Sequence, residues 1–199
     1  MKLGWIAAMA LAASACGKKE GGGGGGGGDA PAAKLPANAV ADANAAVPKE
    51  LQAKLEFVEG SYDERNAKAL AVVPKGWTKS DVIPGMFKPP DGANMGFMTK
   101  FSVGSNCDGS CEAKDWAATA DKVEFAQFAG AGFKVDKDEK GAGMRVLVAS
   151  GDDGQKYVAA AFWKDGASRY YSCRASLERD DAAFAPAFEK ACRALTPVW

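Results

Sequence analysis

The sequence predicts an α+β fold, in which an antiparallel β-sheet meander has a mid-chain helix and a C-terminal helix packed on it. Residues 115–130 place apolar side chains on one helical face. Three strand-like runs follow, separated by Gly- and Asp-rich turn sequences at 151–154 and 165–166. The chain then closes on a second amphipathic segment that contains Phe184 and Phe188. Grouped strands with segregated helices are typical of the α+β class.

Shorter patterns supply the remaining elements. Leu51 and Leu55 recur at helical spacing, which predicts a short helix over 49–58. Residues 95–103 alternate between apolar and other side chains, as a strand does. Because Pro186 is tolerated only in a first turn, we expect the last helix to begin there. The expected strands are 69–73, 85–88, 95–103, 133–136, 144–149, 155–164 and 168–175.

Composition excludes several classes of function. The 199 residues suffice for one domain with tails. The 25 basic and 25 acidic side chains balance, so there is no electrostatic case for nucleic acid. No histidine is present, which excludes Ser-His-Asp and Cys-His nucleophiles and histidine-ligated zinc or haem. We therefore expect no enzyme, no metal and no cofactor, although chemistry based on carboxylates or lysine stays open.

The first sixteen residues have the pattern of an export signal. Lys2 precedes an apolar run over 3–13, which is shorter than the roughly 20 residues that a spanning helix needs. Residues 13–16, Ala-Ser-Ala-Cys, resemble the lipobox of bacterial lipoproteins, with Ala where that class prefers Leu. The resemblance implies cleavage before Cys16 and acylation of its sulfur. The alternatives are ordinary secretory cleavage after Ala15 and a cytosolic protein with an apolar start.

The lipoprotein resemblance implies a place in the cell envelope and a division of the chain. Cys16 would anchor the protein to a membrane, and Gly17, in place of Asp, favours the outer membrane, facing the periplasm or the surface. We expect a signal peptide at 1–15, a lipidated cysteine with a disordered Gly/Ala/Pro-rich tether at 16–48, and one globular domain at 49–199. A flexible tether of that length spans about 30 Å.

Four further cysteines predict disulfides. Cys107, Cys111, Cys173 and Cys192 are even in number, which in an exported domain indicates two disulfides with three possible pairings. We prefer Cys107–Cys111, across an Asp-Gly turn, and Cys173–Cys192, between the last strand and the last helix. Zinc binding and redox chemistry are the alternatives, and the spacings match neither well.

Other residues have both a structural and a functional interpretation. Four apolar side chains near the Pro-Pro turn at 89–90 are expected either to pack in the core or to line a soft binding groove: Met86, Phe87, Met95 and Met98. The acidic pairs at 152–153 and 180–181 are ordinary turn and cap residues. The acidic run at 136–141 superficially matches a calcium loop but is better explained as a solvated hairpin.

The element order also resembles a known fold. The strand that ends in Pro74-Lys-Gly-Trp77 matches the opening turn of the PsbP-like α/β/α sandwich, and the resemblance covers about residues 55–196. It implies an accessory or binding role and transfers no site residues. We therefore expect a non-catalytic envelope lipoprotein that binds a partner protein or a small apolar ligand. The alternatives are an envelope enzyme and a packing lipoprotein without a specific ligand.

Overall fold

Two antiparallel sheets form the framework of the residues that the computed structural model describes, 33–64, 66–107 and 115–199. Helices pack on these sheets, so the predicted α+β class is confirmed. The strands are β1 (Phe57–Glu64), β2 (Ala67–Pro74), β3 (Thr78–Lys79), β4 (Met86–Lys88), β5 (Lys100–Asn106), β6 (Phe133–Gly141), β7 (Met144–Gly151), β8 (Lys156–Phe162), β9 (Tyr170–Leu177) and β10 (Thr196–Val198). The smaller sheet has the order β1-β2-β10 and the larger sheet β3-β4-β5-β9-β8-β7-β6.

Three α-helices accompany the sheets in the described part of the chain: α1 (Ala39–Ala45), α2 (Trp116–Ala120) and α3 (Ala185–Arg193). Asp115 begins α2 by accepting a hydrogen bond from the amide of Ala118 at 2.9 Å. The helical path then continues through a π-helical turn and a 3-10 turn to Ala129, and we call 116–129 the covering segment. Pro186 lies in the first turn of α3, as predicted.

The main core lies on one face of the larger sheet, which we call the inner face. Helix α3 packs there against β7, β8 and β9 and also contacts β2 of the smaller sheet. The ring of Phe188 is central: its centroid is 5.2 Å from that of Phe57 and 5.6 Å from those of Trp77 and Phe101. Aromatic packing at these distances therefore joins both sheets to α3.

The covering segment buries part of the opposite face, which we call the outer face. Trp116, Phe125 and Phe128 pack there on side chains of β7, β8 and β9, including Leu147 and Tyr170. The indole of Trp116 also donates a hydrogen bond to the carbonyl of Ala167 at 2.7 Å. Within the described residues, the larger sheet is thus covered on both faces across β7, β8 and β9, whereas β6 is largely exposed.

The folded unit begins earlier than the sequence predicted. Helix α1 lies within the expected disordered tether at 16–48, yet Ala39, Ala43 and Val47 are buried in the main core. The side chain of Asn44 pairs with both backbone groups of Phe57, at 2.7 and 2.9 Å. Small apolar side chains four residues apart lie on one helical face and can pack against a core. The Ala-rich composition concealed that spacing. The domain boundary at 49 is therefore corrected, while residues 17–32 lie outside the described part.

Further elements differ from the sequence prediction: β6 runs on to Gly141, β3 and β10 were not expected, and two expected elements are replaced or shortened. The helix expected over 49–58 is a single 3-10 turn, Lys49–Leu51, followed by β1. The strand expected from 95 begins only at Lys100, because the preceding loop is tied down by other bonds. Asp181 accepts hydrogen bonds from the Gly96 amide and the Thr99 hydroxyl. These bonds hold 96–99 away from the strand direction.

One of the predicted disulfides is present with both partners described. It joins Cys173 of β9 to Cys192 of α3 inside the main core. Cys107 is also disulfide-bonded. Its expected partner, Cys111, lies outside the described residues, so that pairing stays a prediction. Among the helices of the described segments, none has the length and apolarity to span a bilayer.

Candidate functional site

The half of the outer face that the covering segment leaves open forms a groove of about 330 Å³. We call it the outer groove. Its floor crosses β4, β5, β9 and β8, which are neighbours in the larger sheet. Gln127 and Phe128 of the covering segment line one side of the outer groove. Ile83 of the β3–β4 loop also lines the outer groove. A concave site of this size is within the range that small ligands occupy.

Strand register brings the polar residues of the floor together. Lys100 is paired with Ser176, and Ser102 is paired with Arg174, on adjacent strands β5 and β9. Directly opposed residues in an antiparallel pair share a face, and their Cβ atoms lie about 5 Å apart. The four side chains therefore form a two-by-two polar patch. Tyr157 of β8, opposite Ser176, extends this patch.

A buried carboxylate lies at the edge of the outer groove. Glu124, in the π-helical turn of the covering segment, is only 2% exposed. It accepts hydrogen bonds from the phenol of Tyr170, at 2.8 Å, and from the guanidinium of Arg174. Burying a carboxylate is costly unless donors compensate its charge, and these two side chains supply them. Glu124 thus holds Arg174 at the boundary between the covered and the open halves of the face.

The same environment keeps the Tyr170 phenol protonated. Burial raises the pKa of Tyr170, and the neighbouring charge of Glu124 and the hydrogen bond to it raise that pKa further. Asn106 donates a hydrogen bond to the Tyr170 hydroxyl at 3.0 Å and partly offsets this rise. The phenol therefore acts as a hydrogen-bond donor to Glu124 and not as a base.

Several polar groups of the floor have no partner in the part of the chain that the structure describes. Within the described residues, Lys100 makes no ion pair, and the side chains of Ser102 and Ser176 make no hydrogen bond. Two nitrogens of the Arg174 guanidinium are engaged, Nε and Nη2, by Glu124 and the Val123 carbonyl. The floor thus offers one uncompensated positive charge and two hydroxyls to a bound molecule.

The four side chains predicted to line a groove do not lie together. Met86 is on the outer face and lines the outer groove. Phe87, its neighbour in β4, points to the inner face and packs on Phe101, because successive strand residues alternate. Met95 packs against the main core, and Met98 is exposed in the loop before β5. Of the four side chains, Met86 therefore lines the outer groove, whereas Phe87 and Met95 pack against the main core.

The other acidic candidates make structural contacts, but Asp181 is not the cap residue that the sequence predicted: it is buried and bonds the remote loop at 96–99. Asp153 accepts hydrogen bonds from the amide and the side chain of Gln155. The run at 136–141 lies in the β6–β7 hairpin, where Asp138 pairs with Arg145 at 2.7 Å. A bidentate bond from Arg145 lowers the pKa of Asp138. Within the described ranges, no group of three or more possible protein ligands is placed to hold a metal ion.

The sequence contained a signal for the outer groove that composition and motif reasoning missed. Along 100–103 and along 172–176, polar and apolar side chains alternate strictly, which marks two strands with one polar face. Nothing in the sequence indicates that these two strands are neighbours. Cys16, the predicted lipid attachment site, lies outside the described residues.

Comparisons with known proteins do not assign a family. No family model matches the chain, and no curated protein matches it significantly.

Proposed function

We propose that this chain is an exported lipoprotein of the bacterial cell envelope, whose acylated Cys16 anchors a non-catalytic binding domain to a membrane. The charged, apolar and small-residue order of residues 1–16 supports the anchor. Gly17 supports the outer membrane, with the domain facing the periplasm or the surface. Acyl chains on one residue hold a protein firmly when two or more are present.

The buried disulfide is the structural observation that carries this proposal. Cys173 and Cys192 are bonded inside the main core, where both are at most 1% exposed. Disulfides persist in oxidising compartments and are rare in the cytosol. A second bond between Cys107 and Cys111 belongs to the same proposal, since Cys107 is disulfide-bonded and the other described cysteines pair with each other.

The outer groove supports binding in preference to catalysis. The oxygens of Glu124 are occupied by Tyr170 and Arg174, and the pKa of Tyr170 is raised. The phenol therefore stays protonated near neutral pH and is not a base. The sequence also has no histidine to take that role. What the outer groove does offer is a concave surface with apolar walls and with polar groups that have no partner among the described residues.

The anchor is tested by the substitution Cys16→Ser in a bacterial host. The wild-type chain is expected to incorporate labelled fatty acid and to stay with membranes after a high-salt wash. Cys16→Ser is expected to lose the label. Ser14→Ala, which keeps a small residue before the cysteine, serves as the matched control and should be labelled normally. Undiminished labelling of Cys16→Ser would overturn the anchor.

The binding role is tested by crosslinking in intact envelopes. A photoreactive residue at Ile83, which is half-exposed and lines the outer groove, should give an adduct on illumination. The matched control is the same residue at Lys54, an exposed position just before β1. Adducts that are equal at both positions, or absent from both, would contradict a binding role for the outer groove.

A further inference from the structure

We propose that the outer groove binds a small organic anion, with its acid group at Lys100 and Arg174 and its apolar part against Met86 and Phe128. This inference rests on the proposed binding role and names the class of ligand. It follows from the charge, the hydrogen-bonding groups and the apolar walls of one continuous surface.

Charge gives the sign of the ligand. The residues that line the outer groove include two cations, Lys100 and Arg174, and no carboxylate among the described lining. Glu124 compensates Arg174 from behind, and within the described ranges no acidic group pairs with Lys100. The net charge presented to a ligand is therefore about plus one, which favours a monoanion. A cation of the same shape would meet uncompensated repulsion from Lys100.

The hydroxyls give the acid group its hydrogen bonds. Ser176 is paired with Lys100 and Ser102 with Arg174, so each cation has a hydroxyl opposite it on the next strand. The third nitrogen of the Arg174 guanidinium, Nη1, has no partner among the described residues. A carboxylate has about four acceptor positions, and these donors can satisfy several of them at once.

The apolar lining of the outer groove would contact the apolar part of the ligand. Met86 is buried in the floor beside Ser102, and Phe128 stands at the side that the covering segment forms. Ile83 is half-exposed and completes the apolar surface. Binding sites for small molecules commonly combine such walls with a few converging polar groups. An inorganic ion alone would leave the exposed part of Ile83 in water, since Met86 and Phe128 are already buried.

Glu124 acts here as a positioning residue. Arg174 is the longest side chain of the floor, and an unrestrained arginine would lose rotamer freedom on binding. Its bonds to Glu124 fix the guanidinium before the ligand arrives. Tyr170 in turn fixes Glu124. The arrangement is therefore preorganised for an acid group.

The test uses a matched pair of probes and the full chain in a zwitterionic detergent. Phenylacetate and benzylammonium have the same ring and opposite charges, and each is titrated while backbone amide NMR signals are followed. Phenylacetate is expected to shift the amides of Ser102, Arg174 and Ser176 in a saturable manner. Benzylammonium is expected to leave them in place. Equal responses to both probes, or shifts confined to other segments, would overturn the proposal.

Substitutions of Lys100 separate charge from shape. Lys100→Gln is expected to weaken phenylacetate binding about fivefold, and Lys100→Arg to retain it, because one exposed charge pair contributes modestly. Lys100→Glu should reverse the preference, so that benzylammonium binds and phenylacetate does not. Lys54→Gln removes an exposed lysine just before β1 and is the matched control. An unchanged affinity in Lys100→Gln would refute the assigned acid-group position.

The outcome of the phenylacetate experiment is independent of the outcome of the anchor test. Loss of fatty-acid labelling in Cys16→Ser is read in membranes and does not depend on any residue of the outer groove. Absence of phenylacetate binding would leave the anchor standing and remove the anion. If the wild-type chain proved to carry no lipid but bound phenylacetate normally, the anchor would be removed and the anion site would stand.

Discussion

At the scale of single residues, the fold depends on a few polar side chains that are bonded in apolar surroundings. Glu124 and Asp181 are each 2% exposed, and each accepts hydrogen bonds from more than one donor. A buried carboxylate that loses a donor keeps its desolvation cost without compensation. Such residues are therefore expected to be sensitive to small changes.

The substitution Tyr170→Phe tests the first of these groups. It removes the donor to Glu124 and the acceptor of the Asn106 hydrogen bond, and should lower the free energy of unfolding by about 2 kcal/mol, because hydrogen bonds to buried charged groups are among the stronger ones. The neighbouring substitution Tyr171→Phe loses only a bond to the Val198 carbonyl and should cost about 1 kcal/mol or less. Urea denaturation of both variants gives the comparison. An equal cost would show that the charge of Glu124 adds nothing.

A matched pair of glycines tests close packing of the backbone. Gly85 and Gly76 both have φ near +70°, so alanine is strained at either position. A Cβ at Gly85 would lie 1.8 Å from the Val103 carbonyl oxygen, whereas one at Gly76 has nothing within 4 Å. Gly76→Ala should cost about 1–2 kcal/mol, and Gly85→Ala at least about 3 kcal/mol. Thermal unfolding that ranks them in the opposite order would contradict the described β4–β5 contact.

At the scale of elements, local patterns were predictable and non-local ones were not. Turn sequences and alternation predicted the meander from β6 to β9, and Pro186 correctly marked the start of α3. Strand β10 pairs with β2 through Thr196 and Leu70, which are far apart in the sequence, and no local signal announces that pairing. The outer groove escaped prediction for the same reason, since it requires β5 to lie beside β9.

Helix α1 shows how composition can conceal an element. An Ala-rich stretch next to a polyglycine run has the composition of a tether, yet Ala43 is fully buried and Asn44 is bonded to β1. Helix α1 has seven residues, too few to be stable alone in water, so tertiary contacts stabilise it.

The contribution of α1 is measured by Asn44→Ala. Its side chain is the partner of both the amide and the carbonyl of buried Phe57, so its removal should cost about 2 kcal/mol. Asp42→Asn changes an exposed residue of the same helix and should stay within about 0.5 kcal/mol. If chemical denaturation finds the two variants equally stable, α1 is not part of the cooperative unit.

At the scale of the whole molecule, ion pairs fix the β6–β7 hairpin to α3. Glu189 of α3 accepts bonds from Lys137 at 2.6 Å and from Arg193 at 2.8 Å, and Arg193 also bonds Glu139. Burial acts to raise the pKa of Glu189, but the bonds from Lys137 and Arg193 outweigh it, so the pKa is lowered. The hairpin is therefore bonded to the core helix by charges that titrate in acid.

This arrangement predicts a pH dependence of stability. Because the folded pKa of Glu189 lies below its ordinary value of 4.5, its contribution is complete above about pH 4.5 and is lost as the pH falls through the folded pKa. Glu189→Gln should lower the free energy of unfolding by about 1 kcal/mol or less at neutral pH and show a smaller deficit in acid. Glu50→Gln, at an exposed position, should show no such convergence. Denaturation series at several pH values would reveal a constant deficit if this account is wrong.

The proposed anchor and the outer groove belong to one proposal, in which the domain works outside the cytosol while fixed to a lipid surface. The disulfide between Cys173 and Cys192 is of the kind that persists in such a compartment, and Lys100, which makes no ion pair within the described residues, is the charge proposed to bind a ligand. The central claim is therefore the covalent state of the mature chain.

Intact-mass spectrometry of the protein purified from bacterial membranes tests that claim most directly. The account predicts a chain that begins at Cys16, carries the added mass of acyl chains on that residue, and shows no reactive thiol before reduction. A chain that keeps residues 1–15, or that begins at Cys16 with an unmodified sulfur, would contradict it.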